Sequence, residues 1–275
     1  MKDAACVEFL QWALPRLRMR WAGFRKVRRQ VCRRVERRIR ELDLHDVDAY
    51  RAYLELTPDE WLQLDALCHV TISRFYRDRG VFEFLERSVL PELAGDAAAR
   101  AGSIETWSAG CASGEEPYSL ALVWEYAVRP EYPAVTLRVL ATDADETMLT
   151  RARAASYDES SLHELPSMWR RRGFVRRRDH YHLRPPLRRL VTFVEHDVRD
   201  PAPDGPFDLI LCRNLAFTYF DAALQHQVAW NLTKALREGG ALVVGSHEKL
   251  PEGASGLVPW CSLLGVYRRS AWLRR

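Results

Sequence analysis

From about residue 100 onward, short apolar runs alternate with helical segments, and this alternation restricts the fold more than any other feature. The apolar runs cover residues 104–107, 135–142, 190–194, 207–211 and 241–245. The helical segments between them cover 117–128, 145–155 and 221–236. Apolar strands that are buried on both faces and joined by helical crossovers form a parallel sheet. The sequence therefore predicts an α/β fold for this part of the chain.

The first 80 residues have a different pattern, because every segment there is helical. The predicted helices cover 7–17, 23–42, 47–56 and 58–72, and the last begins with Thr57 as its cap and Pro58 at its first position. A chain of 275 residues has room for one large domain or two small ones. We therefore expect a small all-α domain over 1–80 and an α/β domain over 81–275.

Cysteine usage and hydropathy predict the compartment. No apolar run reaches membrane-spanning length, and the first residues lack a signal-peptide pattern. The six cysteines are scattered without a C-x-x-C pair, so we expect neither a zinc site nor a disulfide framework. No histidines cluster with metal-ligand spacing, so we expect no metal. These patterns favour the cytoplasm.

The stretch W-S-A-G-C-A-S-G-E-E-P-Y-S-L-A-L, at 107–122, runs from a strand through a turn of small residues into a helix. Gly110 and its neighbours allow a tight turn. Glu115 and Glu116 place acids in the first helical turn, where they suit the helix dipole, and Pro117 suits an opening position. Paired carboxylates would repel a polyphosphate, so the turn favours a ligand with a positive end. A cationic cofactor indicates methyl transfer.

Two further segments end predicted strands, at the edge where parallel sheets bind ligands. Asp143, in A-T-D-A-D at 141–145, is typical of an acid that binds two ribose hydroxyls, although it could also be a helix cap before Asp145. C-R-N, at 212–214, closes the run F-D-L-I-L. With the turn at 108–116, these segments predict one binding site.

Five segments together resemble the chemotaxis-receptor glutamate methyltransferases, the CheR family. They are S-R-F-Y-R-D at 73–78, W-S-A-G-C-A-S-G-E-E-P-Y-S at 107–119, L-A-T-D-A-D at 140–145, F-D-L-I-L-C-R-N at 207–214 and Y-F-D at 219–221. The likeness extends from about residue 7 to 268. It implies a class I methyltransferase fold with a mostly parallel seven-stranded sheet, whose antiparallel edge strand would be 263–268. It also implies S-adenosylmethionine as cofactor and S-adenosylhomocysteine as product.

The resemblance also implies site residues. Arg77 and Tyr219 would orient the substrate carboxylate at the methyl group. The cofactor contacts expected from the family motifs and the turn are Thr71, Ser73, Arg77, Gly110, Glu116, Asp143, Asp197, Val198, Arg213 and Asn214. Asp197 and Val198 stand where the family has an Asn-Leu pair. Asp in place of Asn keeps a hydrogen-bond acceptor but removes the amide donor. A sulfonium methyl group is already activated and a glutamate is ionised at neutral pH, so no general base is needed.

Two departures from the family pattern bear on this assignment. Four residues, L-A-F-T at 215–218, separate Asn214 from Tyr219, where the family usually has three. A short β-subdomain-like insertion is expected near 170–193, a region that in some members captures a receptor tail as an extra strand. Here the segment contains Pro185 and Pro186, which cannot donate ladder hydrogen bonds. Tail capture is therefore disfavoured.

The predicted helix over 25–40 carries nine basic residues and one acid, Glu36. Val27, Val31, Val35 and Ile39 recur every four residues and form one apolar stripe. A solvated helix face normally mixes charge signs, so a face this basic suits an acidic partner. Aromatic residues do not interleave with the arginines, which disfavours nucleic acid. In the family, this domain faces acidic receptor helices, so we expect an acidic, helical, chemoreceptor-like protein as partner, without membrane insertion.

Three functions remain open from the sequence. The first is a protein-glutamate O-methyltransferase that acts on chemoreceptor-like helices. The second keeps the cofactor but methylates a small molecule or another protein carboxylate, and the altered 215–218 loop motivates it. The third is a cofactor-binding interaction module without turnover, against which the presence of Arg77, Glu116, Asp143 and Asn214 argues.

Overall fold

The computed structural model describes residues 3–254 and 256–270. Its helices are α1 (Asp3–Ala13), α2 (Trp21–Phe24), α3 (Arg28–Glu41), α4 (Val47–Leu56), α5 (Glu60–Cys68), α6 (Arg79–Phe84), α7 (Leu90–Ala99), α8 (Glu115–Val123), α9 (Glu146–Ala154), α10 (Ser167–Gly173), α11 (Pro185–Arg188), α12 (Ala216–Tyr219) and α13 (Ala222–Ala235). Its strands are β1 (Ser103–Ala109), β2 (Thr136–Asp143), β3 (Ser156–Asp158), β4 (Phe174–Arg177), β5 (His180–Leu183), β6 (Val191–Glu195), β7 (Phe207–Cys212), β8 (Leu236–Val244), β9 (Leu257–Cys261) and β10 (Val266–Arg269).

The chain forms two compact units. The first contains the residues up to 71 together with 218–225, and the second contains 72–217 and the residues from 226 onward. The sequence-based division at residues 80 and 81 stays a prediction. No helix within the described ranges is long and apolar enough to cross a membrane.

The first unit is helical and packs around the apolar stripe of α3. Val31, Val35 and Ile39 are buried, as their spacing predicts, whereas Val27 precedes α3 and is half-buried. The single helix predicted over 23–42 is wrong, because Val27 N–H bonds to the Phe24 carbonyl in a tight turn that separates α2 from α3. The helix predicted over 58–72 is too long, since α5 covers Glu60–Cys68. Thr57 is not its cap, because Thr57 accepts a turn hydrogen bond from Glu60 N–H through its backbone carbonyl.

A disulfide joins α1 to α3 in this unit. It links Cys6 and Cys32, whose Cα atoms lie 6.0 Å apart, and Arg28 of α3 pairs with Asp3 of α1 beside it at 3.1 Å. The expectation that the cysteines form no disulfide is wrong for this pair. The two residues are 26 positions apart, so only the packing of the helices brings them together. Cys68, Cys111, Cys212 and Cys261 are free.

The second unit is built on a seven-stranded sheet with the order β6-β2-β1-β7-β8-β10-β9. The pairs from β6 to β8 are parallel, and β10 runs antiparallel to both β8 and β9. The predicted class I methyltransferase architecture, α/β with a mostly parallel sheet, is confirmed. The prediction of 263–268 as the edge strand is wrong, since β10 lies inside the sheet and β9 forms the edge. Pro259 obscured β9 in the sequence, and edge strands tolerate proline.

The carboxyl ends of four neighbouring strands meet at one edge of this sheet. Ala109 of β1 is in register with Thr142 of β2, and Cys212 of β7 is in register with Val244 of β8. Trp107 anchors β1 in the core, where its indole N–H donates to Thr142 Oγ1 at 2.9 Å. The segments that follow these strands therefore emerge side by side, which positions the candidate site.

A second, three-stranded antiparallel sheet has the order β3-β5-β4. β4 and β5 form a hairpin with Arg177 opposite His180. Pro185 follows β5 at the start of α11, where a missing N–H costs nothing. Two of the three strands lie within the insertion expected over 170–193, whose status as a subdomain stays a prediction.

Candidate functional site

The turn after β1 is fastened to the end of β2. Gly110 and Cys111 donate backbone hydrogen bonds to the Thr142 carbonyl at 2.8 and 2.9 Å. Ala112 N–H donates to Asp143 Oδ2 at 2.8 Å. Gly110 and Ala112 have φ of +76° and +46°, the left-handed region that favours glycine. Glycine is therefore favoured at position 110 by its backbone conformation and also by space, since a Cβ atom there would collide with the Leu215 side chain.

Asp143 is oriented by the backbone on both sides. Besides the bond from Ala112, its Oδ1 accepts from Asp145 N–H at 3.0 Å. Asp145 is the cap of α9, since its side chain accepts from Thr147 and Met148 N–H. Asp143 thus presents a fixed carboxylate at the carboxyl end of β2, beside the turn. This is the arrangement in which an acid binds a ribose diol.

The two acids that open α8 have different surroundings. Glu115 is 4% exposed and accepts hydrogen bonds from the hydroxyls of Ser113 and Ser73. Burial raises the pKa of its carboxyl. Glu116 accepts from Ser108 Oγ at 2.8 Å and pairs with Arg213 at 3.1 Å. Burial also raises the pKa of Glu116, although the charge of Arg213 opposes the shift.

Arg213 links β7 to the segment that contains Arg77. Its side chain is 2% exposed and donates to Glu116 Oε2, to Asp78 Oδ2 at 2.7 Å and to the Arg77 carbonyl at 2.9 Å. Tyr76 and Asp78, on either side of Arg77, both have left-handed backbone with φ of +59° and +60°. Such residues persist only where the surroundings impose them, and they cluster at functional sites.

Arg77 donates from Nη1 to the Ile72 carbonyl at 2.9 Å, and its charge acts on the nearby Glu116 carboxyl. Asn214, which follows Arg213, is also left-handed with φ of +56°. The structure therefore brings Gly110, Ser73, Arg77, Glu116, Asp143, Arg213 and Asn214 to the segments around one edge of the sheet. Their contacts with a cofactor stay predictions.

The remaining predicted site residues make other contacts or belong to the first unit. Asp197 forms an ion pair with Arg199, whose Nε lies 2.9–3.0 Å from both carboxylate oxygens, and Val198 is buried. The resemblance that predicts Asp197 as a cofactor contact does not indicate this pairing with the neighbouring arginine. Thr71 and Tyr219 belong to the first unit. There the Tyr219 ring packs on Phe24 at 5.0 Å. Three of the four residues of the 215–218 segment form the single helical turn α12 together with Tyr219.

Two acids that contact predicted site residues, Asp78 and Glu248, are not predicted as site residues from the sequence. Asp78 is, with Glu116, an ion-pair partner of the buried Arg213. Glu248 is 7% exposed and accepts from the N–H groups of Asn214 and Gly245, both at 2.7 Å. Glu248 follows the apolar run of β8 closely, so an acid just beyond a parallel strand was the available signal. Among the described residues, no group of three or more histidines, cysteines and acids could hold a metal ion.

The basic segment over 25–40 separates into two faces around α3. Three of the arginines face the other helices of the first unit. Arg28 bonds to Asp3, Arg34 to the Leu67 carbonyl and Arg38 to Glu60. The exposed basic side chains are Arg25, Lys26, Arg29, Arg33, Arg37 and Arg40. The solvent-facing surface is therefore strongly basic, although three of the nine basic residues serve internal contacts.

Comparison with known proteins gives consistent results. The model of the CheR methyltransferase SAM-binding domain matches residues 71–260. A chemotaxis protein methyltransferase of Listeria innocua is 36% identical over 185 residues, which cover 67% of this chain and 68% of that protein. A probable chemotaxis protein methyltransferase of Rhizobium etli is 34% identical over 80% of this chain and 84% of its own. The probable biofilm formation methyltransferase WspC of Pseudomonas aeruginosa is 32% identical over 87% of this chain and 56% of its own.

Proposed function

This chain belongs to the CheR methyltransferase family, and we propose that it forms methyl esters on glutamate side chains of chemoreceptor-like proteins. It is an S-adenosylmethionine-dependent methyltransferase, and the cofactor becomes S-adenosylhomocysteine when it gives up its methyl group. The choice of acceptor rests on the relatives, which are named chemotaxis protein methyltransferases at 34–36% identity.

The donor set at the sheet edge fits this cofactor. A carboxylate at the end of β2, Asp143, suits the ribose hydroxyls, and the acid pair of α8 suits the positive end of the molecule. The turn between them contains no lysine that would serve a phosphate. The single observation that carries the proposal is this combination of a backbone-oriented acid with a turn that is acidic rather than basic. We propose that Gly110, Glu116, Asp143, Arg213 and Asn214 hold the cofactor.

The reaction requires positioning more than acid–base chemistry. When bound, the cofactor supplies an activated methyl group on a sulfonium. The acceptor carboxylate is ionised at neutral pH, so the enzyme has to align it in line with the methyl group and remove its water. We assign the orientation of that carboxylate to Arg77, whose backbone is fixed between two left-handed residues and by Arg213. Tyr219 is the second candidate for this role.

The exposed arginines of α3 support an acidic, helical partner. Arg29, Arg33 and Arg37 lie four residues apart, so they follow one face of the helix. Such a row attracts the acidic surface of a receptor helix and steers its encounter with the enzyme. We propose that this row docks the substrate protein.

We place the reaction in the cytoplasm. The relatives are named chemotaxis protein methyltransferases. Four cysteines are free thiols, as is usual in a reducing compartment: Cys68, Cys111, Cys212 and Cys261. The Cys6–Cys32 bond argues in the other direction. Labelling the free thiols of protein rapidly quenched in cells would show whether this pair is reduced there.

Methyl transfer from cofactor labelled in its methyl group tests the proposed acceptor. The protein is incubated with chemoreceptor cytoplasmic fragments, and the product is exposed to mild base. We expect label on the receptor that is released as methanol, which is the behaviour of a methyl ester. Base-stable label, or label on a small acceptor only, would contradict the proposal. Tight cofactor binding without transfer would favour a non-catalytic binding module.

Cofactor affinity should depend on pH through Glu116. Because burial raises the pKa of this carboxyl, it takes up a proton at a higher pH than an ordinary glutamate does. Its negative charge is then lost as pH falls through that raised pKa, and attraction for the positive end of the cofactor is lost with it. We expect the Kd of S-adenosylmethionine, measured without a methyl acceptor, to rise on acidification and Glu116→Gln to flatten that rise. Glu131→Gln, at an exposed acid, is the control and should keep the wild-type profile.

Neutralising the exposed row of α3 should weaken substrate docking and spare cofactor binding. We expect Arg29→Gln, Arg33→Gln and Arg37→Gln together to raise the KM for the receptor about tenfold at low salt, with a smaller effect at high salt. The matched control removes the same charge from exposed positions of the second unit, at Arg87, Arg129 and Arg138. An equal rise in KM for both triple variants would show that net charge, and not this row, is responsible.

A further inference from the structure

Glu248 joins the ends of two neighbouring strands through a single carboxylate oxygen. Its Oε2 accepts from Asn214 N–H, just beyond β7, and from Gly245 N–H, just beyond β8, both at 2.7 Å. Cys212 and Val244, which end these strands, are in register. One such oxygen can accept both hydrogen bonds because it carries two lone pairs. The carboxylate therefore fixes the turn after β7 to the end of β8.

Gly245 is required for this arrangement. A Cβ atom at that position would lie 2.8 Å from Glu248 Oε2 and 2.9 Å from Asn214 Oδ1. Real Cβ contacts are essentially never this short, so a larger residue would force the carboxylate or the asparagine to move. The close approach of the asparagine and the acid thus depends on a residue that has no side chain.

The turn that Glu248 holds carries two proposed cofactor residues. Asn214 has left-handed backbone, which is unfavourable for a residue other than glycine and persists only where the surroundings impose it. Arg213, immediately before it, directs its guanidinium to Glu116 and Asp78. A carboxylate that takes the Asn214 N–H stabilises the left-handed conformation, and so fixes the direction in which both side chains leave the backbone.

We propose that Glu248 is a positioning residue for cofactor binding, which acts by holding Asn214 and Arg213 in their binding conformation through the backbone. The inference rests on the proposed cofactor role of these two residues. Glu248 itself need not touch the cofactor. Its effect should therefore require an acceptor oxygen at this position, and should not require a negative charge.

The test compares variants that keep or remove that acceptor oxygen. Glu248→Gln retains an oxygen for the two N–H groups, whereas Glu248→Met removes it at similar length. We expect Glu248→Met to raise the Kd of S-adenosylhomocysteine about tenfold or more and Glu248→Gln to stay within a few-fold of the wild type. In steady-state assays, the methionine variant should raise the KM for S-adenosylmethionine more than it lowers kcat. Glu238→Met, at an exposed acid at the other end of β8, should leave the Kd unchanged.

A second variant keeps the proposal testable if Glu248→Met does not fold. Gly245→Ala retains Glu248, but the added Cβ atom displaces its carboxylate from the two N–H groups. The variant should therefore weaken cofactor binding in the same way. Amide hydrogen exchange at Asn214 and Gly245 should quicken in the methionine and alanine variants and not in the glutamine variant. A folded methionine variant with unchanged Kd would overturn the proposal. A glutamine variant as weak as the methionine variant would overturn it too, because charge would then be what matters. The titration contains no methyl acceptor, so an error in the proposed acceptor would not affect its outcome.

Discussion

Replacing Asp143 with alanine is expected to weaken S-adenosylhomocysteine binding about a hundredfold or more. Hydrogen bonds to a charged partner contribute about 1.5–3 kcal/mol each, so losing two from the ribose costs about 3 kcal/mol or more. The same carboxylate accepts from Ala112 and Asp145 N–H, so its loss also releases the turn after β1 from the end of β2. Isothermal titration calorimetry measures the affinity directly.

Two variants separate the ribose contact from the support of the turn. Asp143→Asn keeps one acceptor oxygen and should fall between the wild type and the alanine variant in affinity. Asp145→Ala removes the cap of α9 without removing the Asp143 carboxylate, and should cost about 1 kcal/mol of stability with little change in affinity. An unchanged Kd in a folded Asp143→Ala protein would contradict the assignment of the ribose site.

Replacing Arg213 with methionine is expected to lower the free energy of unfolding by about 3–5 kcal/mol, the usual cost of leaving a buried charge unpaired. The Arg213 side chain is 2% exposed and is paired with both Glu116 and Asp78. Without it, the Glu116 carboxylate stays buried beside Ser108 without its ion-pair partner. Denaturant unfolding of the wild type and the variant measures the loss.

A double variant tests whether this cost comes from the stranded charge. Glu116→Gln removes that charge, so Arg213→Met with Glu116→Gln should recover part of the lost stability, and the double-mutant cycle should not be additive. Arg138→Met is the matched control, because that side chain is 72% exposed and pairs with Glu105 at 3.3 Å. Exposed pairs contribute about 0–1 kcal/mol. A loss below 1 kcal/mol for Arg213→Met would show that the buried pair does not hold the site together.

The sequence predicts the elements that depend on local pattern. The apolar runs locate β1, β2, β6 and β7 closely, and the run over 241–245 covers only the second half of β8. β7 is buried along its whole length, whereas β2 and β6 also carry exposed residues. The apolar stripe of α3 identifies its buried face, because its residues recur every four positions along the helix. The strand β9 is not predictable in this way, since it is short, contains Pro259 and lies at the edge of the sheet.

Features that depend on tertiary proximity are not accessible from local pattern. The Cys6–Cys32 bond requires α1 and α3 to lie side by side. The contact of Glu248 with Asn214 N–H joins residues 34 positions apart, and spacing alone does not indicate it. Likewise, Arg28, Arg34 and Arg38 cannot be distinguished by sequence from the arginines that face solvent. Motifs thus indicate the candidate site, and packing determines which residues support it.

A crystal structure of the protein with S-adenosylhomocysteine tests the central claim most directly, which is that the carboxyl ends of β1, β2, β7 and β8 form the cofactor site. We expect the ribose hydroxyls to bond to the Asp143 carboxylate. The amino-acid end of the ligand should lie at the turn that leads into α8, near Glu116. A ligand bound elsewhere, or one whose ribose does not touch Asp143, would contradict this account of the site.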